Sequence, residues 1–219
     1  MLAQPTILDD TIALAEPLLV WLDYIGIAVF AASGALAAAR MKQTFVTFAF
    51  FAFVTGVGGG TVRDLLIGAP VFWIGENLLL ASILMAAVVV WFFPPQWNLG
   101  KLLAMFDGAG LAVYSVFGAS KAMSYGIPPL TAIAMGIFTA SIGGVIRDVL
   151  AGQPSIIMSP GIYISASALT SSLFVGLTLL DVTTWWAAGI AGFIGLALRC
   201  AAIEWNWALP RYNRDTLSD

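Results

Sequence analysis

Apolar residues run along this chain in seven long stretches, at 18–39, 44–67, 72–93, 102–123, 128–151, 160–180 and 183–208, parted by short polar or proline-containing breaks. Each stretch is near the roughly 20 residues that a helix needs to cross a bilayer. Pro94-Pro95 ends the third stretch, and Pro160-Gly161 opens the sixth. Pro128 stands at the start of the fifth, where its missing N–H costs nothing. Trp73 and Trp91 are 18 residues apart, roughly 27 Å along a helix, and Trp185 and Trp205 are 20 apart, roughly 30 Å. Both spacings fit tryptophans placed at the two faces of a membrane. The pattern predicts an all-α integral membrane protein of seven transmembrane helices.

An internal repeat overlies that pattern at an offset of 84 residues without gaps. Thr55-Gly56-Val57-Gly58-Gly59-Gly60-Thr61-Val62-Arg63-Asp64 lies over Thr139-Ala140-Ser141-Ile142-Gly143-Gly144-Val145-Ile146-Arg147-Asp148. The same register pairs Asp23 with Asp107, Gly26 with Gly110, Gly34 with Gly118, Gly68 with Gly152 and Pro70 with Pro154. Apolar matches come cheaply by chance; Gly-Gly, Arg-Asp, Gly and Pro in one register do not. Equivalent points are separated by three spans, an odd number, so the two copies enter the membrane from opposite sides. The expected organisation is a tail at 1–17, a first three-helix repeat at 18–100, a second, inverted one at 101–182, a seventh helix at 183–208 outside the repeat, and a tail at 209–219. Inverted repeats of this kind place transport pathways at the repeat interface near the midplane.

Within the second and fifth spans the glycine runs Gly56, Gly58, Gly59, Gly60 and Gly143, Gly144 weaken a helix interior by roughly 1 kcal/mol each against alanine. One reading is close packing, because small residues let helices approach. The other is a pair of interrupted helices whose bared carbonyls coordinate an ion. Two symmetric runs, flanked by the hydroxyls of Thr55, Thr61, Thr139 and Ser141, favour the second. A monovalent cation is then expected near Gly59, Gly60, Gly143 and Gly144.

Arg-Asp follows each run. Neighbours on a helix do not face one another, so Arg63-Asp64 and Arg147-Asp148 are not expected to be local ion pairs. Asp64 and Asp148 would open a second half-helix, where the dipole favours a carboxylate. Arg63 and Arg147 either snorkel to the interface or belong to a pathway. Lys121, at the end of the fourth span, has Ala37 as its counterpart, so symmetry is broken there; a lysine near a pore can repel cations or act as a movable gate. Asp23 and Asp107 open their spans, as caps or as a cation-attracting vestibule.

Composition closes off other classes. The chain is 60% hydrophobic and only 10% charged over 219 residues, against roughly 25% charged in soluble domains, and its mean hydropathy is +0.95. The net charge of −3 with no basic stripe argues against nucleic acid. With no histidine there is no histidine relay or metal site, and Cys200, the single cysteine, cannot form an intrachain disulfide. Asp9, Asp10 and Glu16 precede the first span without a Lys or Arg, unlike the basic start of a signal peptide. With the N-terminus outside, Arg40, Lys42, Lys101, Arg147, Arg211 and Arg214 fall on the inner side. Arg63 and Lys121 fall outside with Asp181, so the positive-inside rule places the N-terminus outside and the C-terminus in the cytoplasm. No nucleophile–base set, phosphate loop or cofactor motif points to an enzyme.

The paired segments GVGGGTVRDLLIG and ASIGGVIRDVLAG, 84 residues apart in a seven-span chain, resemble the prokaryotic trimeric intracellular cation channels. The resemblance covers nearly the whole chain. It implies seven helices as a 3+3 inverted repeat plus one, in a bacterial inner membrane, assembled as a homotrimer with a pore inside each protomer. It also implies K⁺ and, less selectively, Na⁺ as permeant ions, with kinks at Gly59-Gly60 and Gly143-Gly144 lining an hourglass pore. Of the Lys-Glu-Val motif that animal members carry in the fourth helix, Lys121-Ala122-Met123 keeps the lysine. The expected function is a passive monovalent cation channel whose partners are the lipid bilayer and further copies of itself. The alternatives are a secondary carrier of a small solute such as glycine and a non-transporting membrane scaffold.

Overall fold

The computed structural model describes residues 7–92, 98–158 and 161–210, with side chains from Tyr24 onward. Asp9, Asp10, Glu16 and Asp23 as side chains, Pro94-Pro95, Pro160, Arg211 and Arg214 therefore lie outside what is described. Seven α-helices make up the described chain: α1 (Ile7–Arg40), α2 (Phe45–Ile67), α3 (Asn77–Phe92), α4 (Leu99–Ser124), α5 (Pro129–Leu150), α6 (Ile164–Leu179) and α7 (Thr184–Glu204). Four of them, α2, α4, α5 and α7, are long and apolar enough to cross a membrane, and Tyr24–Arg40, α3 and α6 are shorter apolar helices.

Several boundaries differ from the sequence reading. Helix α1 already begins at Ile7, inside the expected tail. Helix α3 begins at Asn77 rather than 72, because Val71–Glu76 is spent on turns: Ile74 N–H donates to Val71 O at 3.3 Å and Glu76 N–H to Trp73 O at 3.2 Å. Trp73 thus lies off the helix, and its spacing to Trp91 does not measure one span. Trp185 and Trp205 bound α7 as expected, 46% and 65% exposed.

Local hydrogen bonding recurs at the 84-residue offset. Helix α2 is stopped by Gly68, whose φ of 70° only glycine adopts cheaply, and Ala69 N–H donates to Asp64 O at 2.8 Å. After α5, Gly152 has φ 62° and Gln153 N–H donates to Asp148 O at 3.0 Å. Lys42 and Gly126, both left-handed, turn the chain after α1 and α4; Gln43 N–H donates to Ala38 O and Ile127 N–H to Ala122 O, each at 3.1 Å.

The packing repeats with partners exchanged. A methyl group on Gly26 would lie 2.9 Å from the Tyr114 ring, and one on Gly110 would lie 2.9 Å from the Phe30 ring; the two rings themselves stack with centroids 5.3 Å apart. Gly34 sits against Thr55 and Gly118 against Thr139. These contacts join α1 to α4, α1 to α2 and α4 to α5 through small residues, which let helix backbones approach closely. Helix α7 packs outside this arrangement, Gly195 on Thr170 of α6 and Arg199 on Gly108 of α4.

Candidate functional site: two buried Arg–Asp clusters

The glycine runs do not interrupt their helices. α2 continues from Phe45 to Ile67 through Gly56, Gly58, Gly59 and Gly60, and α5 from Pro129 to Leu150 through Gly143 and Gly144. Here the expectation of bared carbonyls is corrected: the glycines serve close packing. A methyl on Gly59 would overlap the Thr139 carbonyl oxygen, and one on Gly143 would lie 2.5 Å from the Thr55 carbonyl oxygen. The two helices therefore cross backbone to backbone at Gly59 and Gly143, with Ile146 Cδ1 3.1 Å from where a methyl on Gly58 would stand. No room is left for an ion between those atoms.

The flanking hydroxyls are mostly occupied. Thr61 Oγ1 donates to Val57 O at 2.7 Å and accepts from the Trp73 indole at 2.9 Å. Thr139 and Ser141 each donate to the carbonyl four residues back, at 2.6 Å. Thr55 Oγ1 alone among them is buried with no hydrogen-bond partner among the described residues. Its hydrogen is uncommitted among the described residues, whereas Thr61, Thr139 and Ser141 each donate theirs to a helix carbonyl.

On either side of the crossing sits an Arg–Asp cluster. Arg63 is fully buried, and so is Asp64. Arg63 Nε donates to Asp64 Oδ1 at 2.9 Å, and Nη2 lies 2.8 Å from the same oxygen but off its hydrogen-bonding direction. Lys121 Nζ approaches that oxygen at 2.9 Å. Asp64 Oδ2 accepts Phe72 N–H at 3.0 Å. The Arg63 guanidinium stands over the Phe117 ring at 4.7 Å, where the ring face attracts a cation. Gly60 clears space for the Phe72 ring, which would lie 2.6 Å from an added methyl.

The second cluster repeats the motif with other partners. Arg147 Nε donates to Asp148 Oδ1 at 2.9 Å, and Asp148 Oδ2 accepts Ile156 N–H at 2.8 Å. Arg147 Nη1 donates to Asp107 Oδ1 at 2.6 Å and also to Ser33 Oγ. Ser33 occupies the position equivalent to Phe117, and Ala37 the position equivalent to Lys121. Where Lys121 fills one end, Ala37 instead helps line a cavity of about 400 Å³ with Arg40, Arg147, Asp148 and Gln153. Asp107 and Lys121 are 14 residues apart on α4, roughly 21 Å, so the clusters occupy opposite ends of the helix bundle.

Two expectations for these residues are overturned, and one of two open readings is set aside. The adjacent Arg–Asp pairs do bond to each other, because the long arginine side chain curls back over its own helix. Asp64 and Asp148 stand near the ends of α2 and α5 rather than at helix starts, and they cap the connecting segments that follow. Arg63 and Arg147 do not snorkel, being 0% and 1% exposed. Asp107, expected as a cap or as a cation-attracting vestibule, stands inside α4, which Asn98 caps, and pairs with Arg147. Arg199 is missing from the sequence-based candidates, although a charge inside an apolar span is a signal in itself. Ser33, Phe72, Phe117 and Tyr163 carry no such mark.

Comparison with known proteins bears on this arrangement. A family model described as Glycine transporter matches residues 20–95 and again residues 104–178, the second match starting 84 residues after the first. A UPF0126 membrane protein of Vibrio cholerae is 35% identical over 212 residues, covering 93% of this chain and 87% of the relative. The UPF0126 inner membrane protein YadS of Escherichia coli K12 is 34% identical over 202 residues, 90% of this chain and 98% of the relative. Among solved structures, a trimeric intracellular cation channel orthologue from Rhodobacter sphaeroides is similar at a TM-score of 0.83 and 37% identity, covering 87% of this chain and 99% of that one.

Proposed function

The chain belongs to the prokaryotic trimeric intracellular cation channel family, and on that premise we propose that it is a passive channel for K⁺ and, less selectively, Na⁺, with one pore in each protomer of a homotrimer. Its solved neighbours are channels rather than enzymes. The architecture we infer is a 3+3 inverted repeat over 18–100 and 101–182, with the seventh helix at 183–208 outside it and tails at either end. The cavity end carries Arg40, Lys42 and Lys101, which supports a cytoplasmic face there, and hence an N-terminus outside and a C-terminus inside.

One observation carries the reading: the Lys121–Asp64 ion pair closes one end of the α2–α5 crossing, whereas the equivalent end, with Ala37, opens into the 400 Å³ vestibule. Asp148, whose side chain is 13% exposed, offers a carboxylate there beside Arg147 and Arg40. A permeant cation crossing toward the other end meets Asp64, already held by an ammonium. Lys121 and the permeating ion thus compete for one carboxylate, which makes the lysine a gate. On this reading the Lys121–Asp64 pair holds the pathway closed. Passage needs Lys121 to withdraw and α2 and α5 to shift at Gly59 and Gly143, with Thr55 Oγ1 beside the crossing to help replace the ion's water shell.

Planar-bilayer recording of the purified protein tests this. Unitary currents carried by K⁺ are expected. The rival reading takes its name from the family model's description and its plausibility from a vestibule bearing both Arg40 and Asp148, complementary to a zwitterion. Saturable glycine uptake without unitary currents would replace the channel by a carrier, and neither signal would leave a scaffold.

A further inference from the structure

Helices α4 and α7 leave a groove of about 380 Å³ between them, apart from the two Arg–Asp clusters. Ala197, Cys200, Ala201 and Glu204 line it from one face of α7, and Lys101 and Met105, one turn apart, line it from α4. The α7 wall from Ala197 to Glu204 is roughly 10 Å long. Charge gathers at one end of the groove only. There Lys101 Nζ lies 2.7 Å from Glu204 Oε2, with the two side chains 48% and 61% exposed. Trp205 follows Glu204, also exposed, and its ring stacks on Trp207 with centroids 5.3 Å apart.

These residues set the depth of the groove in a membrane. Lys101 is in the first turn of α4 and Glu204 ends α7. With tryptophans beside them, that end belongs at the headgroup level, and the apolar remainder reaches in among the acyl chains. A second copy of the chain is a poor occupant, because it would bury the charged end, and protein interfaces are depleted in lysine and glutamate.

We propose that the groove between α4 and α7 is a site for one zwitterionic phospholipid of the phosphatidylethanolamine class. Its phosphate rests on Lys101, its ammonium on Glu204 and the Trp205 ring, and an acyl chain lies along Met105, Ala197 and Ala201. The charge pattern selects the headgroup. An ion pair as exposed as Lys101–Glu204 contributes little by itself and rearranges readily. The ammonium has three donors and the carboxylate about four acceptor sites, so each keeps capacity beyond their mutual bond. A headgroup that carries both a phosphate and an ammonium extends the pair into alternating charges, and the indole face attracts the ammonium further. An anionic headgroup such as phosphatidylglycerol satisfies Lys101 but brings nothing for Glu204. The lipid thereby clasps α7 to α4.

Cys200 supplies the probe. It lines the groove, is partly exposed and is the only cysteine of the chain. The full-length protein, freed of lipid in detergent, is treated with N-ethylmaleimide and the adduct is followed by intact mass, a readout independent of conduction. Phosphatidylethanolamine is expected to slow alkylation by roughly tenfold once it reaches about ten times its Kd. Phosphatidylglycerol at the same concentration is expected to slow it less. Glu204→Gln, at an exposed position, is expected to abolish that preference while leaving the thiol reactive. The proposal is overturned if neither lipid protects Cys200, if phosphatidylglycerol protects as well as phosphatidylethanolamine, or if Glu204→Gln keeps the preference. A thiol that is shielded without lipid and reacts only when the oligomer dissociates places a second copy in the groove, and overturns it as well.

Discussion

The two Arg–Asp clusters are built from one motif, yet they are solved differently. Among the described residues, Arg63 is surrounded by one further cation, Lys121, one carboxylate and two aromatic rings, with Asp64 sealed from solvent. Arg147 is surrounded by two carboxylates, a serine and an open vestibule. Two substitutions account for most of the contrast, Lys121 for Ala37 and Phe117 for Ser33. Duplication thus supplies a pair of helix-capping carboxylates for nothing more than structural reasons, and a few later differences decide which end is plugged and which is open. The comparison also separates what both copies need, the glycine crossing, from what only one has, the lysine.

Breaking the shared part should have the largest effect. Gly59→Ala and Gly143→Ala each drive a methyl into a carbonyl oxygen of the partner helix, and each is expected to destabilise by about 3 kcal/mol or more, the upper range for overpacking. Gly176→Ala in α6 is the control. Nothing lies within 4 Å of the added carbon, so helix propensity alone predicts a gain of about 0.5–1 kcal/mol. Thermal melts in detergent, read by loss of the monodisperse peak, would show the split. Similar midpoints for all three variants would mean that α2 and α5 do not cross where described.

Next comes the cluster whose charges depend on one another. Asp107→Asn leaves Arg147 with Asp148 and Ser33 but removes the charge at its shortest ion pair, 2.6 Å. Truncating one partner of a buried pair costs about 3–5 kcal/mol; the amide keeps some hydrogen bonding, so a loss near the lower figure is expected, again by melting. Lys121→Ala should cost far less, because Asp64 keeps Arg63 and Phe72 N–H. Its effect belongs to conduction. The open probability in bilayer recordings should rise, and Ala37→Lys, which plants an ammonium in the vestibule, should lower the current through an otherwise intact protein. If Lys121→Ala leaves the open probability unchanged, the lysine is not the gate.

How much of this was legible in the sequence follows from what kind of information each feature needs. Long apolar runs fix helix number, and the 84-residue register showed which residues would be equivalent, down to Gly68 with Gly152 and Asp64 with Asp148. Register cannot say whether a glycine in a helix bares a carbonyl or admits a neighbour, since that depends on which backbone lies opposite; Gly59 reads as a break until Thr139 O is placed against it. The Arg63–Asp64 bond was hidden for a similar reason. Spacing rules describe where Cβ atoms point, and a guanidinium on a long flexible stem reaches past them. Arg199 was legible as a charge inside the seventh span, but its partners, Gly108 of α4 and Ile162 and Tyr163 just before α6, are far from it in sequence.

The smallest expected effect sharpens the contrast in the connecting segments. After α2, the Trp73 indole donates to Thr61 Oγ1 at 2.9 Å and its ring meets Phe53 edge to face with centroids 5.2 Å apart. The equivalent positions in the second copy are Val145 and Ile157, which cannot make that bond. The first connection is therefore tied back onto its helix through a side chain as well as through Asp64 Oδ2. The second relies on Asp148 Oδ2 alone of these two ties, and Ile156 and Pro154 of that segment line the vestibule. Trp73→Phe keeps an aromatic ring against Phe53 and deletes the donor. A loss of about 1 kcal/mol is expected, typical of one hydrogen bond between neutral groups. Hydrogen exchange localises it: protection of the amides at 71–76 should fall toward that of 155–158, while the latter stay unchanged. Equal protection of the two segments in the wild type would mean that the indole bond contributes nothing, and that the plugged and open ends differ only in Lys121 and its surroundings.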